Sequence, residues 1–298
     1  LATGRSGSIY DEIGTALVES YSKILDLPVS AHETQGSAAR LEEIQRGNVD
    51  IALVQADAAY QAYKKRSAEF RTRVRGIAVL YVNAVQLFVR IDSPIRTVDD
   101  FRGRRVSVGR LGPGGPTEFA LRVILDSYGV PVSDVDLQLN GQLTIDDFVS
   151  ELRDRKVDVG VLTTGYPVLQ LATSGNNVGM RLVPLDANKI NQIRLRYRFF
   201  KPIVIPSGTY SGQMADVHTI GIDTLLVCRE DLPEELVHKL TRAFFESLPE
   251  LRKRHRAADL IDPEHGPATS VPLHPGAARF YRERELRRLT PIALKPLG

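Results

Sequence analysis

The chain has 298 residues, 43% of them hydrophobic and 25% charged, with a formal net charge of +3. This suits one large or two medium globular domains with a core that needs no staples. No run of about 18 apolar residues occurs, so a membrane-spanning helix is excluded. The arginines are scattered rather than striped, which gives no electrostatic case for nucleic acid.

Taken in chain order, the pattern alternates between strand and helix. Residues 9–25 carry Ile9, Ile13, Leu17, Tyr21, Ile24 and Leu25 at helical spacing, and Pro28 follows. Val29–Glu33 reads as a short strand, Ser37–Arg46 as a helix closed by Gly47, Asp50–Gln55 as a buried strand, and Ala56–Lys65 as a further helix. Two extended apolar segments follow near 76–82 and 84–91, then a helix start at Thr97-Val98-Asp99-Asp100. Arg104–Gly109 is a strand, followed by a Gly/Pro loop and an amphipathic helix from Thr117 to Tyr128. Val135–Leu139, a helix over 144–155, Val157–Thr163 and a helix from Tyr166 continue the alternation. The stretch 186–219 reads as irregular. Thr219–Cys228 is then a strand, Leu232–Leu251 a long helix, and the tail is basic.

Alternating strands and helices predict an α/β fold with mostly parallel sheet. Two blocks are expected: lobe 1 from residues 1–88 plus 218–298, and lobe 2 from 89–217. In open α/β sheets ligands sit beyond the carboxyl ends of the strands, so the loops there are the place to look for a site. Four stand out. Arg5, Ser6, Gly7 and Tyr10 belong to a small-residue loop before the first helix, where a helix N-terminus favours an anion and Arg5 can add charge; a flexible turn is the other reading. Gly36 and Ser37 open the second helix, where Ser37 either caps or meets a ligand. Arg110, Gly112, Gly114, Gly115 and Thr117 line a Gly-rich stretch with neither P-loop nor dinucleotide-binding spacing, leaving a generic anion cradle. Thr163, Thr164 and Gly165 follow a strand, with hydroxyls suited to a ligand or to capping. Gln55, at its strand's end, is a further candidate.

No metal-ligand spacing, nucleophile elbow or paired acid/base carboxylates is present, and no cofactor is expected. Cys228 lies in an apolar run and reads as a buried thiol, compatible with cytosol or periplasm. The basic run Arg252-Lys253-Arg254-His255-Arg256 closes a helix, where cations are favoured. The chain opens abruptly at Leu1-Ala2-Thr3-Gly4, inside a motif, so a leader or tag, removed or left out, is expected.

Five ordered blocks carry a family resemblance. They are Thr3-Gly4-x-x-Gly7-x-x-Tyr10; Gly36-Ser37 with Gly47-Asn48-Val49-Asp50-Ile51-Ala52-Leu53-Val54-Gln55-x-Asp57; Asp99-Asp100-Phe101-Arg102-Gly103-Arg104-Arg105-Val106-Ser107-Val108-Gly109; Gly208-Thr209-Tyr210-x-Gly212-Gln213; and Pro272-Leu273-His274-Pro275-Gly276-Ala277-x-x-Phe280-Tyr281. Together they span nearly the whole chain. It resembles the TAXI family of solute-binding proteins, the extracytoplasmic receptors of one branch of TRAP transporters. The resemblance implies a type II periplasmic-binding-protein fold, with two α/β lobes, a hinge and a central ligand cleft. It also implies export to the periplasm by a cleaved leader, with a lipid anchor as an option. The function implied is capture, by lobe closure and without catalysis, of a small organic anion: an amino acid such as glutamate, or a related carboxylate. A monomer would deliver it to the TRAP-type membrane permease subunits.

Two positions depart from the family pattern. Gly115 stands where a Ser hydroxyl is expected, and Pro116 where a Gly N–H is expected. Either the ligand differs from the common one, or Arg5 or Arg110 replaces the lost donors. The His274 block is expected to be structural, a turn before a packed C-terminal helix, and Tyr210 to pack at a hinge or linker. Two other classes stay open: a ligand-sensing domain that signals to a membrane partner, and an enzyme on the same fold, for which no catalytic set is evident.

Overall fold

The computed structural model describes residues 1–4, 6, 8–34, 36–64, 73–108, 115–139, 144–168, 171 and 179–289. In chain order the strands are β1 (Ala2–Thr3), β2 (His32–Glu33), β3 (Ile51–Gln55), β4 (Val74–Arg90), β5 (Arg105–Val108), β6 (Asp136–Gln138), β7 (Val159–Thr164), β8 (Met180–Leu182), β9 (Phe200–Ile205) and β10 (Val217–Arg229). The helices are α1 (Ile9–Leu25), α2 (Gly36–Arg46), α3 (Ala56–Lys64), α4 (Pro116–Tyr128), α5 (Ile145–Arg153), α6 (Ala187–Arg196), α7 (Glu234–Arg254) and α8 (Pro275–Leu289). The chain divides into two compact units, Leu1–Tyr81 with Asp223–Gly298, and Val82–Ile222.

In the first unit, β1 pairs in parallel with β2 and with β3. β10 runs antiparallel to β3, with Thr224 opposite Gln55 and Leu226 opposite Leu53. Residues of β3 alternate in direction, as in any strand. Ile51 and Leu53 join a core with Ile13, Leu17 and Tyr21 of α1, Ile77 and Tyr81 of β4, and Leu240, Phe244 and Leu251 of α7. α1 forms here because its apolar residues recur at helical spacing. The Ser8 hydroxyl accepts from Asp11 N–H at its start, and Asp26 takes a left-handed φ of 51° at its end. Cys228 is fully buried in this core, and burial pushes its thiol pKa up.

In the second unit, β4 pairs antiparallel with β7 and β8. β5 lies parallel to both β6 and β7, and β9 pairs antiparallel with the first half of β10. Phe88, Phe148, Leu152, Leu162, Leu182, Ile205 and Val217 form the core. α5 opens with a reciprocal cap: Asp147 N–H donates to the Thr144 hydroxyl at 3.1 Å, and Thr144 N–H donates to the Asp147 carboxylate at 3.0 Å.

Several sequence expectations are corrected. The strand expected over 29–33 is confined to His32–Glu33. The two segments near 76–82 and 84–91 are one strand, β4, in which Asn83 is buried rather than a break. Tyr166–Val168 is not helical, and the Tyr166–Pro167 bond is cis. The stretch expected to be irregular holds α6 and β9.

The Pro272–Ala277 block proves structural. His274 is almost fully buried. Its Nδ1 accepts from Gly276 N–H at 3.1 Å, and its Nε2 lies 3.1 Å from the Glu230 carbonyl, fixing the start of α8. His255 caps in the same way, with Nδ1 accepting from Ala257 N–H at 2.9 Å. Burial holds both imidazoles below their ordinary pKa of 6.5. A histidine kept neutral in the native state is protonated first in the unfolded chain, so it supports folding above the unfolded pKa. Melting temperature should therefore fall as pH drops below about 6.5, and His274→Gln should flatten that slope. A parent profile flat from pH 7 to 5 would count against the assignment.

Candidate functional site

The carboxyl ends of β1, β2 and β3 point the same way, because the three strands are mutually parallel. α1, α2 and α3 each begin just beyond one of these ends. Three helix N-termini, with their unpaired N–H groups and positive dipole ends, therefore meet at one edge of the first unit.

Arg40 organises this edge. Its Nε donates to the Leu53 carbonyl at 2.7 Å, and its Nη1 donates to the carbonyls of Thr34 at 3.0 Å and Thr3 at 3.3 Å. One guanidinium thus ties the end of β1 and the residue after β2 to the middle of β3. Its Nη2 has only a long 3.5 Å contact with the Ser37 hydroxyl. The guanidinium carbon lies 4.8 Å from the centre of the Tyr10 ring, a cation–π distance. Arg40 is 3% exposed, and among the described residues no carboxylate lies within ion-pair distance of it. Burial lowers its pKa, with the Tyr10 and Tyr81 phenols opposing; a guanidinium stays charged under such a shift.

Around Arg40 the structure gathers several of the residues expected from sequence. The Ser37 hydroxyl accepts from the Gln55 N–H at 3.1 Å, so it ties the first turn of α2 to the end of β3. Gly36, which starts α2, has a left-handed φ of 80° that favours glycine. Tyr10 shares a 3.3 Å hydrogen bond with Thr224 and meets Tyr81 edge-on at 6.3 Å. Gln55 sits opposite Thr224, and directly opposed residues project to the same face of a sheet. By alternation with Leu53 that face is the one packed on α1. Gln55 is 4% exposed, and its Oε1 is buried without a hydrogen-bond partner among the described residues. Asp57 Oδ1, two residues on, is in the same condition, and burial raises the Asp57 pKa. Ser6 is exposed, its N–H donating to the Glu33 carboxylate at 3.3 Å. Arg5 and Gly7 lie outside the described residues.

The second unit has its own strand-end cluster. β5 and β7 are parallel, and α4 starts beyond the end of β5. Gly115 is the residue before that helix, with no side-chain cap, and Pro116 occupies its first position. Thr117 is buried. At the end of β7, Thr163 Oγ1 is buried without a partner among the described residues. The Thr164 carbonyl accepts from Gln86 Nε2 at 3.3 Å, and Gly165 is buried beside it. Gln86 Oε1 accepts from the Tyr210 hydroxyl, which itself accepts from Val168 N–H at 3.1 Å. Tyr210 also meets Phe88 edge-on at 5.5 Å, and burial raises its pKa. Tyr210 is thus a packing residue that fixes the backbone after β7. Arg110, Gly112 and Gly114 lie outside the described residues.

Sequence reasoning missed Arg40. The signal was available: in α2 the buried residues are Arg40, Leu41, Ile44 and Gln45, so an arginine occupies the apolar stripe at i and i+4 spacing from Ile44.

Among the described residues no helix is long and apolar enough to cross a membrane, and no cluster of potential metal ligands occurs. Several solved structures share the fold. MatC from Rhodopseudomonas palustris, with bound malate, is 14% identical, with 96% of each chain covered and a TM-score of 0.57. XAC2383 from Xanthomonas citri, bound to chloride ion, is 13% identical over 97% of this chain and 99% of that one, at a TM-score of 0.55. A TctC solute-binding protein from Polaromonas is 16% identical over 96% and 94%, at 0.54. The architecture is thus the mixed α/β fold of type II periplasmic binding proteins. The profile of the NMT1-like family matches residues 1–284, and the chain belongs to that family.

Proposed function

We propose that this chain is an extracytoplasmic solute-binding receptor for a small organic anion, which it delivers to a TRAP-type membrane permease. One observation carries the reading: Arg40 is a buried cation with no carboxylate partner among the described residues, placed where three helix N-termini meet. A buried charge is costly unless it is paired. An anion at this edge supplies the missing countercharge and completes the donors of Nη2 and the helix ends. Two further observations support the reading, the bound malate of MatC and the match to the NMT1-like family, and the resemblance of the ordered motif blocks to the TAXI pattern is what names the permease. The strand-end groups serve binding. Tyr10, Ser37 and Gln55 in one unit, and Thr117, Thr163 and Thr164 in the other, are hydrogen-bonding groups without an acid/base partner of catalytic geometry among the described residues.

The test is a thermal-shift panel of amino acids and mono- and dicarboxylates, with mass spectrometry of whatever the denatured protein releases. A ligand at 100 times its dissociation constant stabilises by about 2.7 kcal/mol, or roughly 4 °C for a chain of this size. A released carboxylate, or one clear shift, is the expected result. A panel with neither overturns the anion reading. Ligand-dependent co-purification with the permease subunits tests the partner.

A further inference from the structure

Between α7 and α8 runs a groove of about 360 Å³, lined by Arg242 of α7 and by Phe280, Glu283, Arg284, Arg287 and Arg288 of α8. The five α8 positions recur at the spacing of one helix face. That face carries charge where a packed helix usually carries apolar residues. Glu283 is the one carboxylate among the lining residues, and both of its oxygens are taken. Oε1 accepts from Arg279 Nε at 3.1 Å, and Oε2 lies 3.0 Å from His238 Nε2. Glu264, at the rim, is shared by Arg284 at 2.5 Å and Arg288. Arg242 and Arg287 make no ion pair among the described residues. Positive charge is thus gathered in one recess with too little countercharge to balance it. Arg284 is also held in place there: its Nη1 donates to the Pro263 carbonyl at 2.9 Å, and its guanidinium carbon lies 5.4 Å from the centre of the Phe245 ring.

We propose that this groove is a second binding site, for an organic anion that carries a phosphate group. It shares no lining residue with the strand-end edge around Arg40, and it stands whether or not that edge binds a carboxylate. Guanidinium forks match phosphate oxygens bidentately, and several can serve one phosphate at once. A phosphate monoester also brings more negative charge than a carboxylate to arginines that no acidic side chain answers. Small-molecule sites begin at about 300 Å³, so the groove has room for an organic group beside the phosphate. Phe280, stacked on Phe245 at 5.5 Å between ring centres, gives that group an apolar wall. A soluble phosphate ester and a phospholipid headgroup both present this chemistry.

Two measurements on the full chain at matched ionic strength test the site: titration calorimetry with glycerol phosphate, and flotation with phosphatidylcholine vesicles with and without phosphatidylglycerol. Binding of at least one phosphate probe is expected. Glycerol phosphate alone identifies a soluble ester, and preference for the phosphatidylglycerol vesicles identifies a lipid headgroup. Arg242→Gln combined with Arg287→Gln removes two exposed arginines that support no ion pair among the described residues, so the fold should survive. That double variant should bind whichever probe the parent takes roughly tenfold more weakly, or worse. Arg252→Gln combined with Arg256→Gln removes the same charge from exposed positions around the end of α7, outside the groove, and should bind like the parent. An equal loss in both double variants is non-specific attraction and overturns the site. Full binding by the groove variant, or no binding of either probe by the parent, overturns it as well.

Discussion

Arg40→Met should lower the stability of the chain by about 3 kcal/mol and its affinity for an anionic ligand by roughly two orders of magnitude. The stability loss follows from the three carbonyls that the guanidinium serves, those of Thr3, Thr34 and Leu53. A buried carbonyl that loses its donor costs about 1–3 kcal/mol, and methionine fills the space without replacing a single bond. The affinity loss follows from charge. At roughly 6 Å and an effective dielectric of about 20, a unit charge contributes some 2–3 kcal/mol to an anion. Arg40→Lys separates the two effects. It keeps the charge but cannot span three carbonyls with a rigid fork, so it should melt low yet bind better than Arg40→Met. Chemical denaturation and calorimetry on the three proteins read both quantities. A methionine variant that melts and binds like the parent removes Arg40 from the site.

Gly276→Ala should be the most destabilising small substitution in the first unit, at about 3 kcal/mol. A Cβ at Gly276 would stand 2.2 Å from the Glu234 carbonyl oxygen and 2.7 Å from His238 N. Both are backbone atoms of the first turns of α7, so no side chain can swing aside. α8 must instead move off α7 and loosen the cap that His274 makes at its start. A fall in melting temperature of roughly 6–12 °C is the expected size. An unchanged melt would show that α8 docks more loosely than this geometry requires.

What the sequence reveals here depends on whether periodicity and burial agree. α1 and α7 were legible because their apolar residues recur on one face and that face is buried. β3 was legible as a short apolar run that is buried throughout. α6 was not: its sequence, Ala-Asn-Lys-Ile-Asn-Gln-Ile-Arg-Leu-Arg, buries only Ile190 and Ile193 and leaves Leu195 exposed, too thin a stripe to read. β9 was hidden by Pro202, which a strand tolerates at an edge; among the described residues β9 pairs only with β10. The single strand β4 was split by Asn83, a polar residue in an apolar run.

The candidate site followed the same logic. Strand-to-helix junctions with small residues pointed to Ser37, Gln55 and Thr163. The loop with most glycines drew attention to Arg110 and Gly112, which lie outside the described residues. The charge that the lost loop donors called for was sought at Arg5 and Arg110. Both lie outside the described residues, which add a buried arginine at position 40, inside a helix, where composition alone suggests a solvated surface.

The first unit is assembled from both ends of the chain. α1, from residues 9–25, shares a core with α7, from residues 234–254, while the intervening Val82–Ile222 forms a unit of its own. Contacts so distant in sequence carry a loop-closure cost and slow folding. On a chain emerging from its N-terminus, the inserted unit can complete itself while the first 81 residues still wait for their partners. Until residues near 250 arrive, Ile13, Leu17 and Tyr21 have no α7 to cover them, and exposed apolar surface of that kind invites aggregation. The nascent first segment is therefore the natural client of a holding chaperone, and it is closed by residues made only after the inserted unit.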